Sequence, residues 1–240
     1  MRAAPDGYTL LLVGLSNAIN VTLYKKLNFN FIRDIAPVAS ICGTPYVMVI
    51  NPSVPAYTVP EFMAYAKANS GKINMGSSGI GSVSHVFGEQ FKMMTGINLV
   101  HVPSRGGYVT DLLSGQVQVA FGTIITLFQY IRGDMLRALA VTTTTRSEVL
   151  PDIPTLAEFL PDYEGSQWFG VGAPKDTPTE VINKLNKEIN AVTADPLLKA
   201  RLAGFGVDPM SMTSAAFGKF IVNEAEKWGE VIRAAHITAE

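Results

Sequence analysis

Strand-like and helix-like runs alternate along almost the whole chain, and that alternation narrows the fold to one class. "YTLLLVG", "IAPVASI", "YVMVIN", "INLVHV", "VQVAFGT", "LRALAVTT" and "WFGVGAP" read as buried strands. Gly43, Thr44 and Pro45 separate the second run from the third. Between strands lie helices with readable ends. Thr58 with Glu61, and Thr155 with Glu158, have the spacing of a capping box. Thr177, Pro178 and Glu180 supply a cap, a proline at the first helical position and an acid for the first turn. Val83, Phe87, Phe91 and Met94 recur at helical spacing until Gly96 stops them, and Val181, Leu185, Ile189 and Val192 form another stripe. Strands alternating with helices predict an α/β protein whose sheet is mostly parallel and covered on its faces.

Composition removes several function classes. With 240 residues, 48% of them hydrophobic and 16% charged, the chain has ample material for a core. At about 150 residues per domain it makes one large domain or two small ones. The net charge of -1, with no cluster of Lys and Arg, excludes nucleic acid as the main partner. No apolar run reaches the roughly 18 residues of a membrane span. Cys42 is the single cysteine, so it has no disulfide partner and builds no cysteine-rich metal site; its apolar neighbours read it as a small buried side chain. The stretch before Tyr8 is too short and polar for a signal peptide, and the chain reads as if it starts inside a fold.

One loop concentrates the chemistry. "NMGSSGIGSVSH", Asn74 to His85, joins the end of a strand to the start of a helix. It does not cradle nucleotide phosphates: Gly71-Lys72-Ile73 lacks the hydroxyl of a Walker motif, and Ser84 stands where a dinucleotide fingerprint needs its third glycine. It does not match a nucleophile elbow, because Ile80 follows Ser78 where glycine is required. A hydrolase triad assembled in space from Ser78 with His85 or His101 and Asp111 stays open as an alternative. His85 and Glu89 are four apart on the helix and read as a polar pair at its start, not as a metal site. What the loop suits best is an anion: free backbone N–H groups, the positive end of a helix and neutral hydroxyls, at the strand ends where open α/β sheets bind ligands. Gly79 and Gly81 let the backbone come close, and Ser77, Ser78, Ser82 and Ser84 add hydroxyls. "PSRGG" repeats the arrangement after the next strand, with Arg105 as a fork for a carboxylate.

These segments together resemble a known family. "PDGYTLLL", "VMVINPSVPAYTVPEFMAYAKANSGKINMGSSGIGSVSH", "LVHVPSRGG", "LRALAVTTTTRSEVLPDIPTLAEF", "WFGVGAP" and "TPTEVINKLNKEIN" are similar, in order and across the chain, to the solute-binding receptors of tripartite tricarboxylate transporters, the Bug family. The resemblance implies a periplasmic-binding-protein fold, type II, with two α/β lobes around a ligand cleft: 1–44 plus 168–240 as one lobe and 45–167 as the other. It implies a non-enzymatic, monomeric, periplasmic receptor with no cofactor and no metal, which captures a small carboxylate (a di- or tricarboxylate, an amino acid or an aromatic acid) for membrane transporter subunits. A sensing receptor is the variant reading. The family's serine-glycine loop falls on Ser77, Ser78, Gly79, Gly81 and Ser84; Ser16 and Asn17 follow the "YTLLL" strand and face the cleft; Arg105 and Thr123 complete the expected ligand set. Three departures stand out. Family members carry a signal peptide, a first strand, a glycine-rich loop and a helix before "PDGYTLL", so truncation at the N-terminus and weak ligand binding are expected here. Ser104 stands where tyrosine is usual. Gly122 and Thr123 stand where an aspartate or asparagine is common.

Overall fold

The stretch from Ile35 to Ile50 is apolar or small almost throughout, and it forms one continuous strand, β2, in a computed structural model that describes residues 3–104 and 107–239. Two strands were expected there, either side of Gly43 to Pro45. The chain stays extended because proline's fixed φ suits an extended backbone, and only the ladder partners change. Cys42 and Gly43 pair with the short strand β8 (Asp208–Pro209), whereas Tyr46 to Ile50 pair with β5 (Val119–Thr123). The chain divides into two compact units there: Met1–Thr44 with Gln167–Glu240, and Pro45–Ser166.

In the first unit, β1 (Leu11–Gly14) pairs antiparallel with β7 (Ser166–Pro174), which neighbours β2. Helix α7 (Thr179–Ala194) lays Ile182, Leu185 and Ile189 on Val38, Ala39 and Ala173, as its stripe requires. It does not use its expected cap. Thr177 Oγ1 donates to the Pro174 carbonyl at 2.8 Å, so the hydroxyl is spent on the preceding turn and the helix starts at Thr179 behind Pro178. Helix α1 (Leu15–Leu23) packs against the long α9 (Ser214–Ala234). Trp168 sits edge-on to Phe217 and Phe220 at 5.8 and 5.3 Å, and its indole N–H donates to Glu224 at 3.0 Å.

The second unit holds the loop of interest. Its strands lie in the order β6 (Arg137–Val141), β2, β5, β3 (Asn74–Ser77), β4 (Val100–Pro103). β3 runs parallel to β4 and β5, as crossover helices require. β2 runs antiparallel to β5 and β6, against the mostly parallel expectation. It arrives without a crossover helix, so nothing ties it to the common direction. Both faces are covered. Val47, Val49 and Ala120 face Leu112 of α5 (Tyr108–Leu113) and Ile124 and Leu127 of α6 (Ile124–Arg132). On the other face Phe121 meets Phe91 of α4 (Val83–Thr95), with ring centroids 5.9 Å apart, and Phe91 in turn meets Phe62 of α3 (Val59–Ala68) at 6.3 Å. Gly88 of α4 rests on Met75; a Cβ there would meet the methionine sulfur and methyl, and the thioether would have to shift.

Candidate functional site

β3, β4 and β5 end along one edge of the second unit's sheet, and the loop Ser78–Ser82 leaves β3 at that edge to start α4. Tyr46, opposite Thr123 in the ladder, stands at the same edge. This is the strand-end position where open α/β sheets take ligands.

The loop is a tight turn held from inside. Ser82 N–H donates to the Gly79 carbonyl at 3.2 Å, and Ser82 Oγ donates to the same carbonyl at 2.7 Å. The third residue of the turn, Gly81, has φ 72°, and Gly79 has φ 133°; both lie where side chains are rarely tolerated. Ser82 is also the N-cap of α4, accepting from His85 N–H at 3.3 Å. Since the Ser82 proton goes to Gly79, the proton of the 3.0 Å Ser82–Ser84 contact belongs to Ser84, whose Oγ accepts from Ser78 N–H at 3.0 Å.

Two histidines back the turn. Ladder partners share a face, as do residues two apart on a strand. Met75 pairs with His101, so Met75, Ser77 and His101 all face α4. His101 Nε2 lies 2.6 Å from Ser77 Oγ, and that hydroxyl accepts from Gly79 N–H at 3.1 Å. From α4, His85 takes the Gly81 N–H on its Nδ1 at 3.0 Å, which leaves the ring proton on Nε2, 3.4 Å from Glu89 Oε1. Lys92 Nζ meets the same carboxylate oxygen at 2.7 Å. Burial alone would raise the Glu89 pKa, but the contacts to His85 and Lys92 outweigh it and hold the carboxyl below its ordinary range. Burial first, and His85 second, push His101 down to about 4.

The internal bonding decides which donors are free. The N–H groups of Gly79 and Gly81 and the hydroxyls of Ser77, Ser82 and Ser84 are committed within the loop. Among the described residues, none accepts from the N–H groups of Ile80, Val83 or Ser84, or pairs with the Ser78 hydroxyl. Val83 and Ser84 open α4, where helix geometry offers their N–H groups no partner. No acid stands in the first turn of α4, as in α1, α6 and α9. Its positive end is left without a side-chain anion.

The expected site residues are distributed as follows. Ser78 is exposed, Gly79 partly so, and Gly81 and Ser84 are buried in the turn. Ser77 lies beneath the loop with no exposed surface. Thr123 ends β5 and shares a 2.7 Å hydroxyl contact with Thr126. In the first unit, Ser16 is exposed in the first turn of α1, and Asn17 accepts the Gly14 N–H at 2.9 Å. Arg105 lies outside the described residues. Ser104 N–H donates to the Ser77 carbonyl at 2.9 Å, and a Cβ at Gly122 would collide with the Tyr108 hydroxyl. In the sequence His85 and His101 fit a triad or a polar pair, and their support of the loop is visible only in the fold. The Gly81-to-His85 spacing, one helical turn, is the signal that pointed there. The triad fails on geometry: His101 touches Ser77, which is buried, while among the described residues no base pairs with the Ser78 hydroxyl.

The chain matches the family described as tripartite tricarboxylate transporter family receptor over residues 1–237. It is 32% identical over 237 residues to Protein BugT of Bordetella pertussis, covering 97% of this chain and 73% of that one. Among solved structures, Rpa4515 of R. palustris with adipate superposes with a TM-score of 0.89 at 29% identity, over 99% of this chain and 81% of the other. The periplasmic binding protein BugD superposes with a TM-score of 0.86 at 29% identity, over 100% and 82%.

Proposed function

We propose, starting from the fact that this chain belongs to the tripartite tricarboxylate transporter receptor family, that it captures a small carboxylate on the Ser78–Ser84 loop and presents it to the membrane subunits of such a transporter. The family is one of solute receptors, not enzymes, and the fold is that of periplasmic binding proteins. The observation that carries the reading is the set of free donors: three backbone N–H groups and the Ser78 hydroxyl at the start of a helix with no acid in its first turn.

A carboxylate accepts up to about four hydrogen bonds, and charge-assisted bonds are roughly twice as strong as neutral ones. Donors with no acceptor among the described residues bind such a group without first breaking an internal bond, so little reorganisation is needed. The adipate in Rpa4515 supports a linear dicarboxylate as the first ligand to try. We place the receptor in the periplasm, as its relatives are; among the described residues no helix is long and apolar enough to cross a membrane. Isothermal titration calorimetry against a panel of di- and tricarboxylates, amino acids and aromatic acids tests the reading. Saturable binding of at least one acid is expected. A flat response to the whole panel overturns it.

A further inference from the structure

The turn that carries the donors without an acceptor among the described residues is held by bonds from behind, and the most specific of them comes from a histidine. Gly81 N–H is a buried donor, and His85 Nδ1 is its acceptor at 3.0 Å. Only an unprotonated nitrogen can accept, so the bond selects one tautomer, with the proton on Nε2. Three neighbours keep the ring there. Glu89 faces Nε2, Lys92 fixes Glu89, and the His101 ring lies parallel over the imidazole, with centroids 3.5 Å apart and planes 5° from parallel. His101 in turn engages Ser77, whose oxygen takes the Gly79 N–H. The two glycine N–H groups of the turn are thus both drawn inward, one by each histidine-based arm. The residue between them, Ile80, keeps its N–H free.

We propose that His85 is a positioning residue for carboxylate capture: its Nδ1 lone pair fixes the Gly79–Ser82 turn so that Ile80, Val83 and Ser84 present their N–H groups to the ligand. The role rests on the carboxylate reading above. His85 itself touches no ligand in this account; it is 5% exposed and acts through Gly81. Leucine at this position fills similar space and accepts nothing. Asparagine carries a carbonyl oxygen close to where Nδ1 stands and restores an acceptor. A residue that served only to fill the core would rank leucine above asparagine; a positioning residue ranks them the other way.

The test uses the full chain and its His85→Leu and His85→Asn variants, with adipate as the first probe and the rest of the dicarboxylate panel behind it. Two readouts are taken: affinity by calorimetry, and hydrogen exchange of the Gly81 amide by NMR. His85→Leu is expected to weaken binding at least tenfold and to speed Gly81 exchange at least tenfold, and His85→Asn to recover most of both. Equal affinity and equal Gly81 protection in wild type and His85→Leu would overturn the proposal, as would an asparagine variant no better than leucine. If no acid binds the wild type, the carboxylate reading fails while Gly81 exchange still decides whether His85 holds the turn. If His85→Leu does not fold, the long-range ¹H–¹⁵N spectrum of the wild type decides instead. An unprotonated Nδ1 coupled to the Gly81 amide supports the proposal, and a protonated Nδ1 contradicts it.

Discussion

His85 and His101 stack face to face, with ring centroids 3.5 Å apart and planes within 5° of parallel. Two imidazoles this close repel each other if both are charged, and His85 is buried while His101 is half-buried. The stack therefore ties the second unit to a range of pH.

Acid should loosen it. His101 has its pKa depressed from 6.5 to about 4, through burial first and His85 second. A depressed pKa means the fold favours the neutral ring. The stabilisation is complete above pH 6.5 and is lost as the pH falls toward 4. The shift alone sets an upper bound near 3 kcal/mol, and solvent at this part-exposed ring lowers it to about 2 kcal/mol. Denaturant melts at pH 7 and pH 4.5 should show that loss, and His101→Gln should remove most of the difference. An equal pH slope in the variant would assign the effect to other groups.

Ser78 supplies the one free hydroxyl of the loop, so Ser78→Ala should weaken carboxylate binding roughly tenfold, the worth of one hydrogen bond to a charged acceptor. Stability should change by less than about 0.5 kcal/mol, since the side chain is exposed. Ser84→Ala should do both: its oxygen accepts the Ser78 N–H inside the turn, so affinity and melting temperature fall together.

Gly81→Ala places a Cβ at φ 72°. The left-handed conformation costs a side chain about 1–2 kcal/mol. That corresponds to a drop of roughly 2–8 °C in a chain of this size. The paired control is Gly96→Ala, at φ 66° beyond the far end of α4. It should cost similar stability and leave affinity unchanged, which separates the turn's role in binding from its backbone strain.

Gly122→Ala should destabilise the second unit by about 1–3 kcal/mol, because a Cβ there meets the Tyr108 hydroxyl and Leu127 Cδ1. Tyr108→Phe removes the hydroxyl and should relieve part of that cost. A double-mutant cycle measured by denaturant unfolding reads the coupling, and a value near zero would place the strain elsewhere.

Local chemistry was well written into the sequence. The capping box of Thr155 and Glu158 forms reciprocally, at 3.3 and 3.0 Å. Thr58 caps α3 by accepting the Glu61 N–H, though Glu61 reaches back to Tyr57 rather than to Thr58. The glycine positions of the loop were legible because only a turn with positive φ wants them. Competition between neighbours was not legible. Thr177 had the composition of a cap, but a carbonyl three residues earlier took its hydroxyl. Pro45 looked like a strand break, and only the partners change there. The histidine stack lay furthest from reach. It needs β4 beside β3 in the register that sets His101 opposite Met75, and no local pattern encodes that pairing. Hydroxyls read from the sequence as ligand donors turned out to differ sharply in availability, since hydrogen-bond bookkeeping exists only in three dimensions: Ser77 and Ser84 face inward and Ser78 does not.

If a carboxylate is held by the free donors of this loop, backbone amide NMR detects it at those donors. The ¹⁵N-labelled full chain is titrated with adipate and then with shorter and longer dicarboxylates. Saturable shifts are expected, largest at the amides of Ile80, Val83 and Ser84, with the Gly79 and Gly81 amides moving little because they stay bonded to Ser77 and His85. Saturable binding with those three amides unmoved would contradict capture by these donors.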